Sequence, residues 1–210
     1  MLKSAFWGGI ASGIMVGIGG TVYLSCENKV VGAVLFSVAL LVICMLGFYL
    51  YTGKIGLFIE KPDKMSALAL PIGLAGNAIG AILTGLGTAL VKPGLIETAK
   101  TVCDAKLAGG MLKGFVAAIF CGILMYAAVK TYGVKGTLIG IIFCIPTFIL
   151  CGFEHSVADV YYFTVASLSG FHPMSIVFVL VAVAGNTLGG WLLPVLMLAG
   201  KGKVINNEAK

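Results

Sequence analysis

Residues 76–80 have the sequence GNAIG, and residues 185–189, which lie 109 positions later, have the sequence GNTLG. Both stand inside long apolar segments. The same offset relates four residues of the first apolar segment, Phe6, Ile10, Gly13 and Ile14, to Phe115, Ile119, Gly122 and Ile123. Identities in one register across two pairs of segments indicate that the chain is built from two related halves.

The composition indicates an integral membrane protein. Hydrophobic residues make up 60% of the chain and charged residues 10%, with a mean hydropathy of +1.08, which exceeds what a soluble domain can bury. The 30 glycines favour close helix packing in lipid. The net charge of +6 is spread over loops and termini and every basic residue is lysine, so no nucleic-acid partner is expected. The six cysteines lack metal-site spacing, and neither a metal nor a cofactor is expected.

Six segments are long and apolar enough to cross a bilayer, which takes roughly 20 residues. They cover approximately 5–25, 30–52, 66–91, 109–129, 137–166 and 174–200, and the polar stretches between them are too short to form a separate domain. The sequence therefore predicts an all-α integral membrane protein, with six transmembrane helices in a single domain over residues 1–210.

The lysines predict the orientation of the chain. With the N-terminus inside, one side of the membrane receives Lys3, Lys61, Lys64, Lys130, Lys135, Lys201, Lys203 and Lys210. The other side receives Lys29, Lys92, Lys100, Lys106 and Lys113, which acidic residues dilute. Because lysine is enriched on the cytoplasmic side of membrane proteins, both termini are expected in the cytoplasm.

Each half contains three segments, over approximately residues 1–92 and 109–203. Because three is an odd number, the halves must insert with opposite orientation, which is the inverted-repeat plan of many channels and transporters. The repeated Asn77 and Asn186 then need partners, because an unpaired amide in hydrocarbon is costly. Two explanations stay open: they bond an interrupted backbone or line a watery path, or they only bond neighbouring helices.

The second and fifth segments are both interrupted by polar residues. The second contains Thr52, Gly53 and Lys54, and the fifth contains CGFEHSVAD, residues 151–159. Gly53 and Gly152 are expected to relax the helix at each interruption. Interrupted segments at matching positions of two halves point to a binding site near the middle of the membrane, where a helix N-terminus favours an anion.

Glu154, His155 and Asp159 place three ionisable groups within an apolar segment. An ionisable residue inside a membrane is by default part of a functional site, so His155 is predicted to be functional rather than a core histidine. Glu154 is adjacent to His155 and therefore points in a different direction from it. It is expected to bond the loop backbone or an adjacent subunit. Asp159 either shares the face of His155 or caps a helix. His172 lies before Pro173 in a predicted external loop and is expected to be structural.

These residues resemble motifs of the formate/nitrite transporter family. GFEHSVAD, residues 152–159, resembles the family's GFEHSxAN, and LYTG, residues 50–53, is similar to LFTG. GNAIGA and GNTLGG resemble its two GN-x-x-GG/A helices, and LKGFVAAIFCG, residues 112–122, resembles LRG-x-x-CN more weakly. The matches are collinear and cover five of the six segments.

The resemblance implies a fold, an assembly and a function. The protomer would be aquaporin-like, with the second and fifth of its six helices broken. It would assemble as a homopentamer with one pore per subunit, in the cytoplasmic (plasma) membrane of a bacterium or archaeon. The family moves small monovalent anions or their weak acids, such as formate, nitrite, hydrosulfide, acetate and lactate.

The same resemblance implies roles for individual residues. His155 would be the pore centre, with Thr52 as its hydrogen-bonding partner. Leu50 and Phe148 would form an outer apolar constriction, and Tyr51 would stand near an inner one.

Lys135 is expected to correspond to the family's vestibule lysine. The chain departs from the family motifs at four positions. Tyr49 stands where Glu precedes LFTG, Asp159 where the motif ends in Asn, Gly122 where the CN pair has Asn, and Lys54 where the family has a neutral residue. We expect Lys54 to raise the local anion concentration.

The leading hypothesis is an anion channel or proton-coupled transporter, because a protonated weak acid crosses an apolar constriction at much lower cost than a bare anion. His155 would either relay the proton or act as an electrostatic and hydrogen-bonding centre. The alternative is a neutral-solute channel for water or glycerol on the same architecture, which the pore histidine and the missing NPA motifs disfavour. An enzyme is not indicated, and a purely structural protein would not need two matched interruptions.

Overall fold

The computed structural model describes residues 1–208, with side chains described for residues 1–200. Over this part the chain is all-helical: α1 Leu2–Ser25, α2 Lys29–Met45, α3 Tyr51–Glu60, α4 Lys64–Val91, α5 Leu95–Ala108, α6 Met111–Lys135, α7 Ile139–Leu150, α8 Ser156–Ala166 and α9 Met174–Glu208. The side chains of Lys201, Lys203 and Lys210, which enter the orientation prediction, lie outside the described residues.

Within the described residues, four helices are long and apolar enough to cross a membrane: α1, α4, α6 and the Met174–Gly200 part of α9. They coincide with the first, third, fourth and sixth predicted segments, and the chain is a multi-pass membrane protein. The second predicted segment, 30–52, covers α2 and the start of α3. The fifth, 137–166, covers α7 and α8.

A non-helical stretch separates α2 from α3, and another separates α7 from α8. A glycine with left-handed backbone ends the helix before each stretch. Gly47 (φ 69°) follows α2, and Gly152 (φ 66°) follows α7. After each glycine the next amide, that of Phe48 or Phe153, donates to the carbonyl five residues earlier at 2.9 Å. This is the glycine-ended helix terminus of the Schellman motif, which a residue with a Cβ resists. The two helices therefore stop in the same way.

Gly53, which the sequence places at the interruption of the second segment, lies inside α3 instead. A Cβ at this position would stand 2.9 Å from Val129 Cγ2, so this glycine allows α3 to approach α6 closely. The non-helical residues are 46–50, and Gly47 among them adopts the conformation that turns the chain. The hinge therefore lies ahead of Thr52 rather than after it.

The linker between the third and fourth predicted segments forms α5, a helix that the sequence does not predict. Its buried residues are Ala99 and Cys103, and its outer side carries an exposed ion pair in which Lys100 Nζ lies 2.5 Å from Asp104 Oδ2. Apolar and charged residues on opposite faces are typical of an amphipathic helix. Since α5 packs on α8, it brings its side chains to the gap between α7 and α8.

Glycines hold α1 against α4 and α6 against α9 in two contacts of the same kind. A Cβ on Gly13 would stand 2.1 Å from the Asn77 carbonyl oxygen, and a Cβ on Gly122 would stand 2.4 Å from that of Asn186. Backbones this close leave no room for a side chain, and small residues join membrane helices in this way. The two contacts are related by the offset of 109 positions.

We expect Gly80→Ala to destabilise the protein by about 1–3 kcal/mol, the usual cost of overpacking. The new Cβ would stand 2.1 Å from the Ile10 carbonyl oxygen and would force α1 and α4 apart. Gly87→Ala in the same helix is the matched control, because nothing lies within 4 Å of a Cβ there. Thermal unfolding in detergent, followed by circular dichroism, measures both, and equal melting temperatures for the two variants would contradict the close crossing.

Candidate functional site

The side chain of Asn77 anchors the start of α3. Its Oδ1 accepts the Tyr51 amide hydrogen at 2.8 Å, and its Nδ2 donates to the Tyr49 carbonyl at 2.8 Å and to the Gly9 carbonyl at 2.9 Å. The residue is fully buried. One amide from α4 thus satisfies backbone groups on both sides of the helix start and ties them to α1.

Asn186 does the same for α8. Its Oδ1 accepts the Ser156 amide hydrogen at 2.9 Å, and its Nδ2 donates to the Glu154 carbonyl at 2.8 Å and to the Ala118 carbonyl at 2.9 Å. It is also fully buried. Both asparagines therefore bond an interrupted backbone, which is the first of the two explanations that the sequence leaves open.

The two helix starts bring Thr52 and His155 together. Thr52 Oγ1 lies 2.9 Å from His155 Nε2, and both residues are buried. His155 Nδ1 accepts the Ala158 amide hydrogen at 3.2 Å, so the imidazole is the N-cap of α8. A ring nitrogen that accepts a hydrogen bond carries no proton, so in the neutral ring Nε2 holds the hydrogen and donates it to Thr52. The contact partner predicted for His155 is the one observed.

A cavity of about 300 Å³ reaches His155 from the side of α5. Its charged lining residues are Lys106, Lys113, Glu154 and Asp159. Lys113 is exposed, whereas the two acidic residues are buried, so the charges are arranged from the mouth of the cavity inward. The cavity is large enough for a small ion with several waters.

Lys106 joins both carboxylates of this cavity. Its ammonium donates a hydrogen bond to Glu154 Oε2 and lies 3.0 Å from Asp159 Oδ1. The sequence predicts that Glu154 bonds the loop backbone or another subunit, but its side chain bonds α5 of the same chain. The sequence motifs do not identify Lys106 as a residue of the site. The spacing of Ala99, Cys103 and Lys106 could have indicated it, because residues at these intervals share one face of a helix.

A second cavity of about 200 Å³ lies along α2, α3 and α6. Leu50 and Gly53, which precede and follow Thr52 in the chain, are in its wall. Lys54 is the only charged residue among its described lining residues, and no described acidic side chain lies within ion-pair distance of it. Its ammonium lies 5.9 Å from the centre of the Tyr49 ring. The second cavity therefore carries an uncompensated positive charge.

The residues expected to form constrictions lie in three different places. Phe148 is buried in the wall of the first cavity and stacks on His155, with 5.7 Å between ring centres. Leu50 is buried in the wall of the second. Tyr51 lines neither of these two cavities: its hydroxyl lies 2.8 Å from Thr187 Oγ1 of α9. Successive residues of a helix point about 100° apart, which turns Tyr51 away from the direction of Thr52.

The vestibule role that the resemblance implies for Lys135 stays a prediction. This lysine is the last residue of α6, is exposed, and lines neither of these two cavities. The half-buried lysine in the wall of the His155 cavity is Lys106, which comes from α5. The separation of Lys106 and His155 in the sequence does not show that they line the same cavity, because this depends on the packing of α5 on α8.

Asp159 does not cap a helix, which was one of the two alternatives for this residue. The N-cap of α8 is His155, and the Asp159 side chain turns to Lys106 instead. His172 is exposed ahead of α9, where its Nδ1 accepts the Met174 amide hydrogen at 3.2 Å. That contact is structural, as the sequence predicts for His172.

The site supplies cations, hydrogen-bond donors and apolar walls. Among the described residues no group of three or more His, Cys, Asp or Glu side chains is arranged to hold a metal ion, and the cysteines are free. Two buried helix starts, a polar pair between them and two cavities lined by residues of both halves suit the passage of a small solute.

A sequence model of formate/nitrite transporters matches residues 1–200. The chain belongs to the formate/nitrite transporter family. The family predicted from the sequence motifs is thus confirmed, and the protein is a membrane transport protein rather than an enzyme.

Relatives of this family member agree with the assignment. YrhG, an uncharacterized transporter of Bacillus subtilis (strain 168), is 29% identical over 181 residues, which cover 78% of this chain and 68% of that protein. A pentameric formate channel with formate bound is 20% identical, with a TM-score of 0.77 over 98% of this chain and 97% of its own. A channel described as an FNT family ion channel is 22% identical, with a TM-score of 0.79 over 95% and 89%. The two structures show that this family member has the fold of these channels.

Asn186→Leu should release the start of α8 in this transporter and leave the start of α3 in place. The variant removes the acceptor of the Ser156 amide, and a lost buried hydrogen bond costs about 1–3 kcal/mol. We expect the Ser156 amide to exchange with deuterium roughly tenfold faster or more. Asn77→Leu is the reciprocal control and should have this effect at Tyr51. Hydrogen–deuterium exchange mass spectrometry reads both peptides, and equal acceleration of both by either variant would contradict separate anchoring.

Proposed function

We propose that this protein conducts small monovalent anions or their weak acids across the membrane. The path in each protomer runs from the cavity at Lys106, past Thr52 and His155, to the cavity at Lys54. The observation that carries this proposal is the buried Thr52–His155 contact of 2.9 Å, which joins the starts of α3 and α8. Membership of the formate/nitrite transporter family supports it, and formate, nitrite and hydrosulfide are the substrate candidates.

The proposal includes six membrane crossings in an aquaporin-like arrangement. Helices α1, α4, α6 and α9 would supply four, and α2–α3 and α7–α8 would each supply one broken crossing. The halves 1–92 and 109–203 would form an inverted repeat within one domain, which the matching glycine and asparagine contacts support. Both termini would face the cytoplasm of a bacterial or archaeal plasma membrane. Likeness to a pentameric formate channel supports a homopentamer with one path per subunit.

Two helix N-termini meet at the Thr52–His155 pair. Thr52 is the second residue of α3, and His155 is the N-cap of α8. The N-terminal end of a helix carries partial positive charge and free N–H groups, both of which favour an anion. Leu50 and Phe148 provide apolar walls, where a bare anion is costly and a neutral weak acid is not. An anion is therefore stabilised next to the pair and crosses it as the weak acid.

His155 acts in this scheme as a hydrogen-bonding centre rather than a proton relay. Its Nδ1 is occupied by the Ala158 amide, so the ring cannot take up a proton there without losing the cap of α8. Its Nε2–H donates to Thr52, and the Thr52 hydroxyl hydrogen has no other acceptor among the described residues. That hydrogen can donate to an oxygen or sulfur atom of the substrate. The pair therefore selects acceptors, which suits anions and weak acids.

The proposal is tested by His155→Asn. Asparagine can still cap α8 through its side-chain oxygen, but it loses the contact with Thr52. We expect formate flux into proteoliposomes to fall roughly tenfold or more, since leaving a buried hydrogen-bonding group without its partner costs about 1–3 kcal/mol. His172→Asn is the matched control, because His172 also bonds an amide near the start of a helix but is exposed.

Equal formate flux in wild type and His155→Asn would remove His155 from the path. Rapid glycerol flux without formate flux would instead favour a neutral-solute channel on the same fold. Parallel measurements with nitrite, hydrosulfide and acetate rank the substrates.

Lys54→Met should lower formate uptake at low ionic strength by up to roughly tenfold, because the uncompensated Lys54 charge raises the anion concentration in the second cavity. The difference should shrink at high salt, where the Debye length falls to about 3 Å at 1 M. Lys64→Met, an exposed lysine at the start of α4, is the control. Uptake is measured in proteoliposomes over a salt series, and an unchanged rate and salt dependence in Lys54→Met would contradict this role.

A further inference from the structure

Asp159 is a buried carboxyl group with almost nothing to bond. Its side chain is 1% exposed, and neither oxygen has a hydrogen-bond partner among the described residues. Lys106 Nζ lies 3.0 Å from Oδ1, within ion-pair distance. A carboxylate that is desolvated and not hydrogen-bonded is strongly disfavoured, and taking up a proton removes the charge.

Lys106 cannot balance both acidic residues of the cavity. Its ammonium is hydrogen-bonded to Glu154 and lies at ion-pair distance from Asp159, so one positive charge faces two carboxyl groups. With Asp159 also ionised, the cluster would carry one net negative charge away from water. Lys113 lines the same cavity but is exposed at its mouth. The charge count therefore leaves one proton in the cluster, and Asp159 is the group that lacks other bonds.

The remaining titratable groups around Asp159 do not change this count. The thiols and phenol that face it from α5, α6 and α8 are neutral near pH 7, and so is the imidazole at the start of α8: Cys103, Cys121, Tyr162 and His155. None of them supplies a second positive charge. Of the two carboxyl groups in the described cluster, Asp159 is therefore the one that can hold and release a proton without breaking the Lys106–Glu154 hydrogen bond.

We propose that Asp159 is the proton donor of the anion path: it holds a proton in the first cavity and transfers it to the weak-acid anion that Lys106 attracts. This step rests on the proposed function. The O–H bond of the Asp159 carboxyl breaks, and an O–H bond forms on the anion. The cavity carries one negative charge before and after the transfer, so the step needs no additional buried charge. The neutral acid then passes Thr52 and His155, and a hydronium ion from the solution at the cavity mouth returns a proton to Asp159 and leaves water, so one proton crosses with each anion.

The family motif has Asn where this chain has Asp159, and an amide cannot release a proton at this step. Asp159→Asn therefore removes the donor while it keeps the size of the side chain and the Lys106–Glu154 bond. Asp104→Asn is the matched control, because Asp104 is an exposed partner of Lys100 on the outer side of α5.

The first measurement is infrared spectroscopy of the full-length protein in detergent, with hydrogen–deuterium exchange, as the pH is raised from about 5 to about 8. Ordinary carboxyl groups ionise near pH 4, so their protonated form is absent over most of this range. We expect a carbonyl band of a protonated carboxyl in wild type and in Asp104→Asn, and its loss in Asp159→Asn. No such band in wild type, or an unchanged band in Asp159→Asn, would overturn the proposal. The wild-type spectrum decides this point even where the variant fails to assemble.

The second measurement is formate flux into proteoliposomes over the same pH range. Without a donor, flux follows the concentration of formic acid in solution and falls about tenfold per pH unit. We expect this slope for Asp159→Asn and a shallower slope for wild type and Asp104→Asn. Coincident slopes for wild type and Asp159→Asn would overturn the transfer to the anion. Absence of formate flux from every protein would overturn the anion-transport proposal and the transfer with it, whereas the infrared band reports on the Asp159 proton independently.

Discussion

A helix that ends in apolar surroundings must find partners for its free backbone groups within the protein, because hydrocarbon offers none. Asn77 and Asn186 provide them here, each accepting the first amide of a helix and donating to a carbonyl on the other side of the gap. The remaining features of the site depend on these bonds. They allow α3 and α8 to start inside the fold, and those two starts place Thr52 against His155.

The features that the sequence reveals are those whose signal is repeated or unavoidable. Asn77 and Asn186 recur at a fixed offset within apolar segments, where an amide must be bonded. The contact between Thr52 and His155 follows from the family motifs. Gly152, the glycine directly before the polar run of the fifth segment, has the left-handed backbone that ends α7.

The features that the sequence does not reveal depend on backbone dihedral angles, on the direction of side chains and on contacts between segments that are distant in the chain. Gly47 and Gly53 differ in backbone dihedral angle, which composition does not encode. Tyr51 points to Thr187, because one residue along a helix is a large rotation. Lys106 reaches the cavity only because α5 folds over α8, and its place in the sequence suggests an ordinary linker.

The position of α5 separates the residues that set the charge of the first cavity from the residues that hold the long helices together. The close glycine contacts that join α1 to α4 and α6 to α9 do not include residues of α5, whereas Lys106, the half-buried cation of the first cavity, comes from it. Substitutions along α5 can therefore change the charge at the cavity while the tightly packed backbone crossings stay as they are. A duplicated scaffold of this kind can acquire a new ion preference through changes in one amphipathic segment that lies apart from its closest helix crossings.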